Sequence, residues 1–159
     1  FDKMFYESDA SNLVAVKAKY PFLFPEGNED SVWLNKLNNP LLQDLYKEVK
    51  QKYPTTAKID KDLEALFQHI QYYFPKYKTP RVIAVISEVD REAKAIYADS
   101  IALISLDCYL GKEHPFYVDF SDYQRLGFEE NQTVGESSFF VLKLREVLQS
   151  PKNFNKTLR

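Results

Sequence analysis

The feature that most constrains the fold is a change of hydrophobic pattern at Thr79-Pro80. Before this point apolar residues recur every three or four positions, which is the spacing of one face of a helix. After it they run continuously in short segments rich in β-branched residues, at 82–86, 95–98 and 101–106. Segments of this kind are typical of buried strands. The sequence therefore predicts amino-terminal helices packed on a small sheet of about three strands.

The helical part divides into three predicted pieces. The first covers 9–19, and the second begins near Asp30 and is interrupted at Asn39-Pro40, because proline cannot continue a preceding helix. The third is predicted from Asp60, a residue that favours helix starts. Its apolar residues follow helical spacing up to Pro75, and they are Leu63, Leu66, Phe67, Ile70 and Phe74.

One more helix is predicted near the carboxyl terminus, at 136–149, with Phe140, Leu144, Val147 and Leu148 facing inward. No repeat, low-complexity tract or break in composition divides the chain, so 1–159 is predicted to be a single domain. The order of helices, strands and helix is an α+β arrangement, in which we expect helices to cover one side of the sheet.

Charge and glycine content exclude several classes of protein. With 21 basic and 23 acidic residues, the chain lacks the positive surplus that general nucleic-acid binding requires. Its four glycines are isolated, so neither a Walker loop nor a dinucleotide-binding fingerprint can be assembled. The longest apolar runs are five or six residues, far below the roughly 20 that cross a bilayer.

Residues that could perform catalysis are few. The two histidines, His69 and His114, are 45 positions apart, and neither belongs to an HExxH motif. A catalytic zinc needs three protein ligands, so a metal role for His114 is a weak alternative to an ordinary loop histidine. Cys108 follows an apolar strand, where burial as a small hydrophobic residue is usual. Asp107 and other acidic residues are interpreted as solvated loop charges, so we predict no catalytic residue, metal or cofactor.

Aromatic residues make up 15% of the chain and are concentrated in three clusters, at 20–24, 67–77 and 109–123. Most are expected in the core, but tyrosines near lysines also suit protein interfaces. The segment 109–117 combines a glycine, charges of both signs and aromatic rings just after a strand. We predict a partner contact there through Tyr109, Lys112, His114 and Tyr117, with a well-packed connector as the alternative.

Several blocks of the chain stand in a recognisable order and spacing. They are Phe1-Asp-Lys-Met-Phe5, Tyr20-Pro-Phe-Leu-Phe-Pro-Glu26 with Asp30-Ser-Val-Trp33, the segment 67–80, and Leu106-Asp-Cys-Tyr-Leu-Gly-Lys112. In these blocks the chain resembles the gliding-motility lipoprotein GldB family of Bacteroidetes. The resemblance covers about residues 1–118, whereas 119–159 match poorly, as a truncated chain or joined pieces would. The order of elements also resembles zincin-like metallopeptidases, which implies a degenerate zincin-like fold.

The resemblance implies a cell-envelope protein that faces the periplasm and carries a lipid anchor upstream of Phe1. It also implies a role in gliding and the linked type IX secretion machinery, with proteins of that machinery as partners and no nucleic acid. The leading hypothesis is thus a non-catalytic domain that binds other proteins. The alternatives are a zinc-dependent hydrolase of zincin-like ancestry whose metal ligands are missing from this chain, and a polysaccharide binder that uses exposed Tyr and Trp33.

Overall fold

The computed structural model describes residues 1–98 and 100–129. Within them, helices precede a three-stranded sheet and one short helix follows it, so the α+β class is confirmed. The helix predicted at 136–149 lies outside the described residues. The elements are α1 (Asp2–Tyr6), α2 (Leu13–Lys19), α3 (Asp30–Leu37), α4 (Pro40–Lys52), α5 (Ala57–Tyr73), β1 (Arg81–Val85), β2 (Ala95–Ala98), β3 (Ile101–Ser105) and α6 (Asp122–Arg125).

Helix α5 confirms the clearest helical pattern in the sequence. Its buried residues, Ile59, Leu63 and Ile70, form one stripe at helical spacing. The helix begins at Ala57, and Asp60 lies in its first turn instead of capping it. A carboxylate in the first turn is favoured there because it interacts with the unpaired N–H groups of the helix end. No helix in the described part of the chain is long and apolar enough to span a membrane.

The amino-terminal helices differ from the prediction in extent. Helix α1 was not predicted, and α2 begins only at Leu13, four residues after the predicted start. The Asp9 carboxylate accepts hydrogen bonds from the backbone N–H groups of Ser11 and Asn12, at 2.8 and 3.1 Å. Local bonds of this kind form a turn that competes with the helix. The residue expected to start the helix therefore delays it.

The predicted interruption at Asn39-Pro40 is confirmed. Helix α3 ends at Leu37 and α4 begins at Pro40. The Asn39 side chain accepts a hydrogen bond from the backbone N–H of Leu41 at 3.0 Å, which caps the new helix. Proline suits the first helical position because that position needs no N–H donor.

Strand β3 is central in the sheet, with the order β1-β3-β2. Strand β1 runs parallel to β3 and pairs residues 81–85 with 101–105. Strand β2 runs antiparallel to β3, so that Ala95 pairs with Ile104. Since β1 and β3 are parallel, their carboxyl ends lie at the same edge of the sheet. The segments that follow these two strands therefore meet at that edge.

Both faces of the sheet are covered, so the expectation of helices on one side is wrong. One face packs on the amino-terminal helices in a cluster of Phe5, Tyr6, Leu13, Val16, Tyr20, Phe24, Leu37, Leu42, Tyr46 and Ile83. The other face packs on α4, α5 and the segment after β3 in a cluster of Leu45, Val49, Ile59, Leu63, Ile104, Leu106, Cys108, Tyr109, Leu110, Tyr117 and Phe128. The physical reason is that continuous apolar strands have no polar face to expose to water.

Candidate functional site

The predicted contact segment begins where β3 ends. A 3₁₀ turn at Leu106–Cys108 follows the strand, and the backbone N–H of Tyr109 donates a hydrogen bond to the Leu106 carbonyl at 3.1 Å. Gly111 then takes a φ of 112°, which L-amino acids with a side chain rarely adopt. The backbone N–H of Gly111 donates to the Phe128 carbonyl at 3.0 Å, which fixes the loop to the segment after α6.

The two tyrosines of the predicted contact lie in the core and not at the surface. The side chains of Tyr109 and Tyr117 are both 0% exposed. The Tyr117 hydroxyl accepts a hydrogen bond from the Leu110 backbone N–H at 3.0 Å and donates one to the Asp107 carbonyl. The Tyr117 ring stacks on Phe128, with ring centroids 4.2 Å apart. These tyrosines therefore support the loop from beneath.

Replacing Tyr117 with phenylalanine is expected to lower the free energy of unfolding by about 2 kcal/mol, because it leaves the Leu110 N–H and the Asp107 carbonyl buried without a partner. The ring stacking would be retained. Urea denaturation of the two proteins measures the difference. Tyr123→Phe is the matched control, since Tyr123 is exposed and should tolerate loss of its hydroxyl. Equal effects of the two substitutions would contradict the supporting role of Tyr117.

The other two predicted contact residues lie nearer the surface. The Lys112 side chain is 45% exposed, and its Nζ lies 4.0 Å from the Glu129 carboxylate. The His114 ring is mostly covered, stacks on Phe116 and places Nε2 at 3.3 Å from the Glu48 carboxylate. Its Nδ1 accepts a hydrogen bond from the Phe116 backbone N–H, so we assign the ring proton to Nε2, which donates to Glu48.

Helix α6 extends the exposed surface beside this loop. Arg125 joins the two, because its guanidinium lies 3.9 Å from the Glu113 carboxylate and pairs with Asp122 in its own helix. Tyr123 and Leu126 of the same region are exposed. We call Lys112, Glu113, Tyr123 and Leu126 the loop surface. It combines charges of both signs with apolar area.

A buried carboxylate holds the two post-strand segments together. Asp107 is 0% exposed, so its interpretation as a solvated loop charge is wrong. Its carboxylate accepts hydrogen bonds from the backbone N–H groups of Ser87, at 3.1 Å, and Val89, at 2.6 Å. Burial raises the pKa of Asp107, and these N–H donors oppose that rise. The bonds stabilise a strained turn in which Glu88 and Val89 have φ values of 64° and 59°.

A second buried carboxylate, Asp2, lies at the exit of β1. Asp2 accepts a hydrogen bond from the backbone N–H of Ile86 at 3.2 Å. Burial raises the pKa of Asp2 to about 8, and the negative charge of Asp107 adds to the rise. The carboxylates of Asp2 and Asp107 both accept hydrogen bonds from backbone N–H groups, so we assign them a structural role. The signal that could have identified Asp107 is its position directly after a buried strand.

The remaining candidates for chemistry are separated in space or engaged in the core. Cys108 is completely buried, which confirms the prediction, and its Sγ lies 3.7 Å from the Ser87 hydroxyl. His69 is on α5, where Nδ1 contacts the Ala65 carbonyl at 2.8 Å. Within residues 1–98 and 100–129, no three His, Cys, Asp or Glu side chains group closely enough to hold a metal ion.

Comparison with known protein families shows to which family the chain belongs. The model of the family described as gliding motility protein GldB matches residues 1–157. The chain belongs to the GldB family. The match extends well beyond the 1–118 found from sequence blocks, so the segment after 118 is also part of the GldB region. Neither the curated proteins nor the solved structures contain a match to the chain.

Proposed function

We propose that this GldB domain is a non-catalytic component of the cell envelope that acts in gliding motility and the associated secretion machinery through protein–protein contacts. Family membership over residues 1–157 is the observation that carries the proposal. The loop surface supports the contact role, because a rigid loop with mixed charges and exposed aromatic area has the character of a protein interface.

The location we propose is the envelope of Bacteroidetes cells, facing the periplasm, with a lipid anchor upstream of Phe1. The label of the family model, GldB_lipo, supports this location because it denotes lipoproteins. An anchored domain needs no membrane-spanning helix of its own. The contacts we propose are therefore made close to a membrane, with proteins of the motility and secretion machinery.

Within the proposed contact, we assign the direct interaction with the partner to Lys112 and place His114 at the edge of the contact. Among residues 1–98 and 100–129, the Lys112 ammonium pairs with one carboxylate, that of Glu129, at the limit of pairing distance, 4.0 Å. The ammonium is therefore available to a partner's acidic group. His114 is held by Glu48 and Phe116, and it contributes the shape of the loop. Tyr109 and Tyr117 fix the loop to the core and are positioning residues.

Photo-crosslinking in cells tests this proposal. A photoreactive amino acid replaces Lys112 in the full-length protein, and the same replacement at Lys61, an exposed lysine of α5, is the matched control. We expect captured motility or secretion proteins from position 112 and not from position 61. We also expect Lys112→Glu to reduce gliding while protein levels stay constant. Identical captures from both positions, together with normal gliding of Lys112→Glu cells, would refute the contact.

The alternative of a zinc-dependent hydrolase has a weaker basis in the geometry. Both ring nitrogens of His114 have protein partners, the Phe116 N–H and the Glu48 carboxylate. A zinc ligand must instead offer an unshared nitrogen lone pair to the metal. Metal analysis of the purified protein distinguishes the two hypotheses. One zinc per chain that is lost in His114→Ala would favour the hydrolase and contradict the proposed non-catalytic role.

A further inference from the structure

The backbone of β1 has one side that faces away from the sheet. The N–H of Arg81 donates to the Ser100 carbonyl at 2.8 Å, which shows that the odd-numbered residues of β1 bond to β3. The even-numbered residues must then direct their N–H and C=O groups to the opposite side. Ile86, just beyond the strand, confirms this alternation, because its N–H donates outward to Asp2 at 3.2 Å.

Between Arg81 and Ile86, the outward-facing backbone N–H and C=O groups are those of Val82 and Ala84. Strand β1 is an edge of the sheet, since its one neighbouring strand in the described part of the chain is β3. No residue among 1–98 and 100–129 supplies a hydrogen-bond partner to the outward N–H and C=O groups of Val82 and Ala84. A row of alternating donors and acceptors at 3.3 Å per residue is the pattern that another strand satisfies.

This edge forms the floor of a groove between two helical layers. A cavity of about 220 Å³ lies over residues 82–84. One wall comes from α5, through Thr56, Ile59, Asp60 and Leu63, and the other from Phe1 and Tyr20. Asp2 occupies the outward N–H of Ile86 and closes the end of the edge nearest the strand exit. The groove therefore offers two outward-facing residues between walls that carry both polar and apolar side chains.

Two charged side chains line the groove, Asp60 of α5 and Arg81 of β1. The Asp60 carboxylate accepts a hydrogen bond from Thr56, so Arg81 is the charge that indicates the chemistry of an occupant. The Arg81 guanidinium lies over the Tyr20 ring, 5.5 Å from its centroid, and no carboxylate of the described residues pairs with it. A partner strand can supply that carboxylate. Arg81 lies on the Tyr20 side of the sheet, whereas Ile59 and Leu63 lie on the other side. Neighbouring residues of a strand face opposite sides, so an apolar residue next to the acidic one would reach Ile59 and Leu63.

We propose that the β1 edge binds an extended segment of a partner protein by strand addition, with an acidic residue at Arg81 and an apolar residue at the neighbouring position against Ile59 and Leu63. This inference rests on the proposed function for the statement that the partner is a protein. The tail of this chain is the less suitable occupant. Its apolar residues at 139–148 have the spacing of a helix, which uses its backbone groups internally.

Hydrogen exchange of the full chain tests whether the edge is free. In the monomer we expect slow exchange at Ile83 and Val85, whose N–H groups bond to β3, and fast exchange at Val82 and Ala84. Protection of Val82 and Ala84 in the monomer would mean that the chain covers its own edge. Protection that appears only as the protein concentration rises would mean pairing with a second copy. Either result would overturn the proposal.

Peptide binding tests the occupant directly. The probes are two octapeptide libraries, one with Glu next to an aliphatic residue, and one with Lys in place of that Glu. We expect binding from the Glu library, weakened about tenfold by Val82→Pro, which removes one outward donor. Proline is tolerated at an edge where the N–H faces solvent, and Val82→Ala, which keeps the donor, should bind within about threefold of the original. Arg81→Glu should reverse the preference between the libraries.

A measurement on the peptide side covers the case in which Val82→Pro does not fold. N-methylation at alternate positions of the best peptide should abolish binding in one register and leave it in the other. Absence of binding from both libraries, or equal loss in both registers, would overturn strand addition. If strand addition fails its tests while crosslinking from position 112 captures the expected proteins, the groove proposal is wrong and the proposed function is retained.

Discussion

Asp107→Ala is expected to lower the free energy of unfolding by about 4 kcal/mol, because the backbone N–H groups of Ser87 and Val89 would lose their acceptor. Few single substitutions cost this much, and those that do usually leave buried polar groups unpaired. The free energy of unfolding from urea titrations provides the measurement.

The strain in the adjoining turn increases the expected effect. Glu88 and Val89 have positive φ values, and such a conformation in residues other than glycine persists only when its surroundings enforce it. The Asp107 carboxylate supplies that enforcement through two hydrogen bonds. Once it is removed, the turn can relax, and the carboxyl end of β1 should lose protection from hydrogen exchange before the rest of the sheet.

Two further variants distinguish the loss of the buried Asp107 acceptor from the loss of any carboxylate. Asp107→Asn retains one carbonyl oxygen, so it should cost about half as much as alanine. Asp90→Ala removes an exposed carboxylate that accepts one bond from the Glu92 N–H at 2.9 Å, and it should cost about 1 kcal/mol. If Asp107→Ala lowered the free energy of unfolding no more than Asp90→Ala does, Asp107 would not be the group that holds the segments after β1 and β3 together.

The second large effect is a dependence of stability on pH that originates at Asp2. Burial raises its pKa in the folded protein to about 8, whereas an unfolded chain has an ordinary value near 3.8. Between these values the folded state holds a proton that the unfolded state has released. Stability therefore decreases as pH rises through this range, and it is greatest at the acidic end. The raised pKa of Asp107 acts in the same direction.

Asp2→Asn is expected to remove most of this dependence. The amide keeps a carbonyl oxygen for the Ile86 N–H but cannot ionise. We expect the original protein to lose about 3 kcal/mol of stability between pH 5 and pH 8, and the variant to lose much less. Urea denaturation at several pH values provides the profiles. Parallel profiles for the two proteins would show that Asp2 is not the group responsible.

Asp2 also connects the core to the proposed binding edge. By occupying the Ile86 N–H, it limits the outward-facing part of β1 to Val82 and Ala84. Asp107 fixes the turn that follows, so the edge strand ends in a defined conformation. The two buried carboxylates thus stabilise the scaffold on which both proposed contacts, the β1 groove and the loop surface, depend.

The sequence by itself determined the class of fold, the position of each strand to within about one residue, the break at Asn39-Pro40 and the burial of Cys108. It also determined the family, through ordered blocks of residues. These features are local, because they depend on the spacing of apolar residues and on the backbone preferences of proline and asparagine. A pattern of this kind is present in the chain before it folds.

Only the tertiary structure decided which polar and aromatic residues are buried. Asp107 is polar, and Tyr109 and Tyr117 lie in a segment that has the composition of a surface loop, yet all three are fully buried. Their partners come from other parts of the chain, as the bond from Tyr53 to the Tyr109 carbonyl shows. The groove at β1 likewise exists because α5 and the amino-terminal helices cover opposite faces of the sheet. Burial of a polar group depends on which donors and acceptors folding brings to it, and spacing along the chain does not encode that directly.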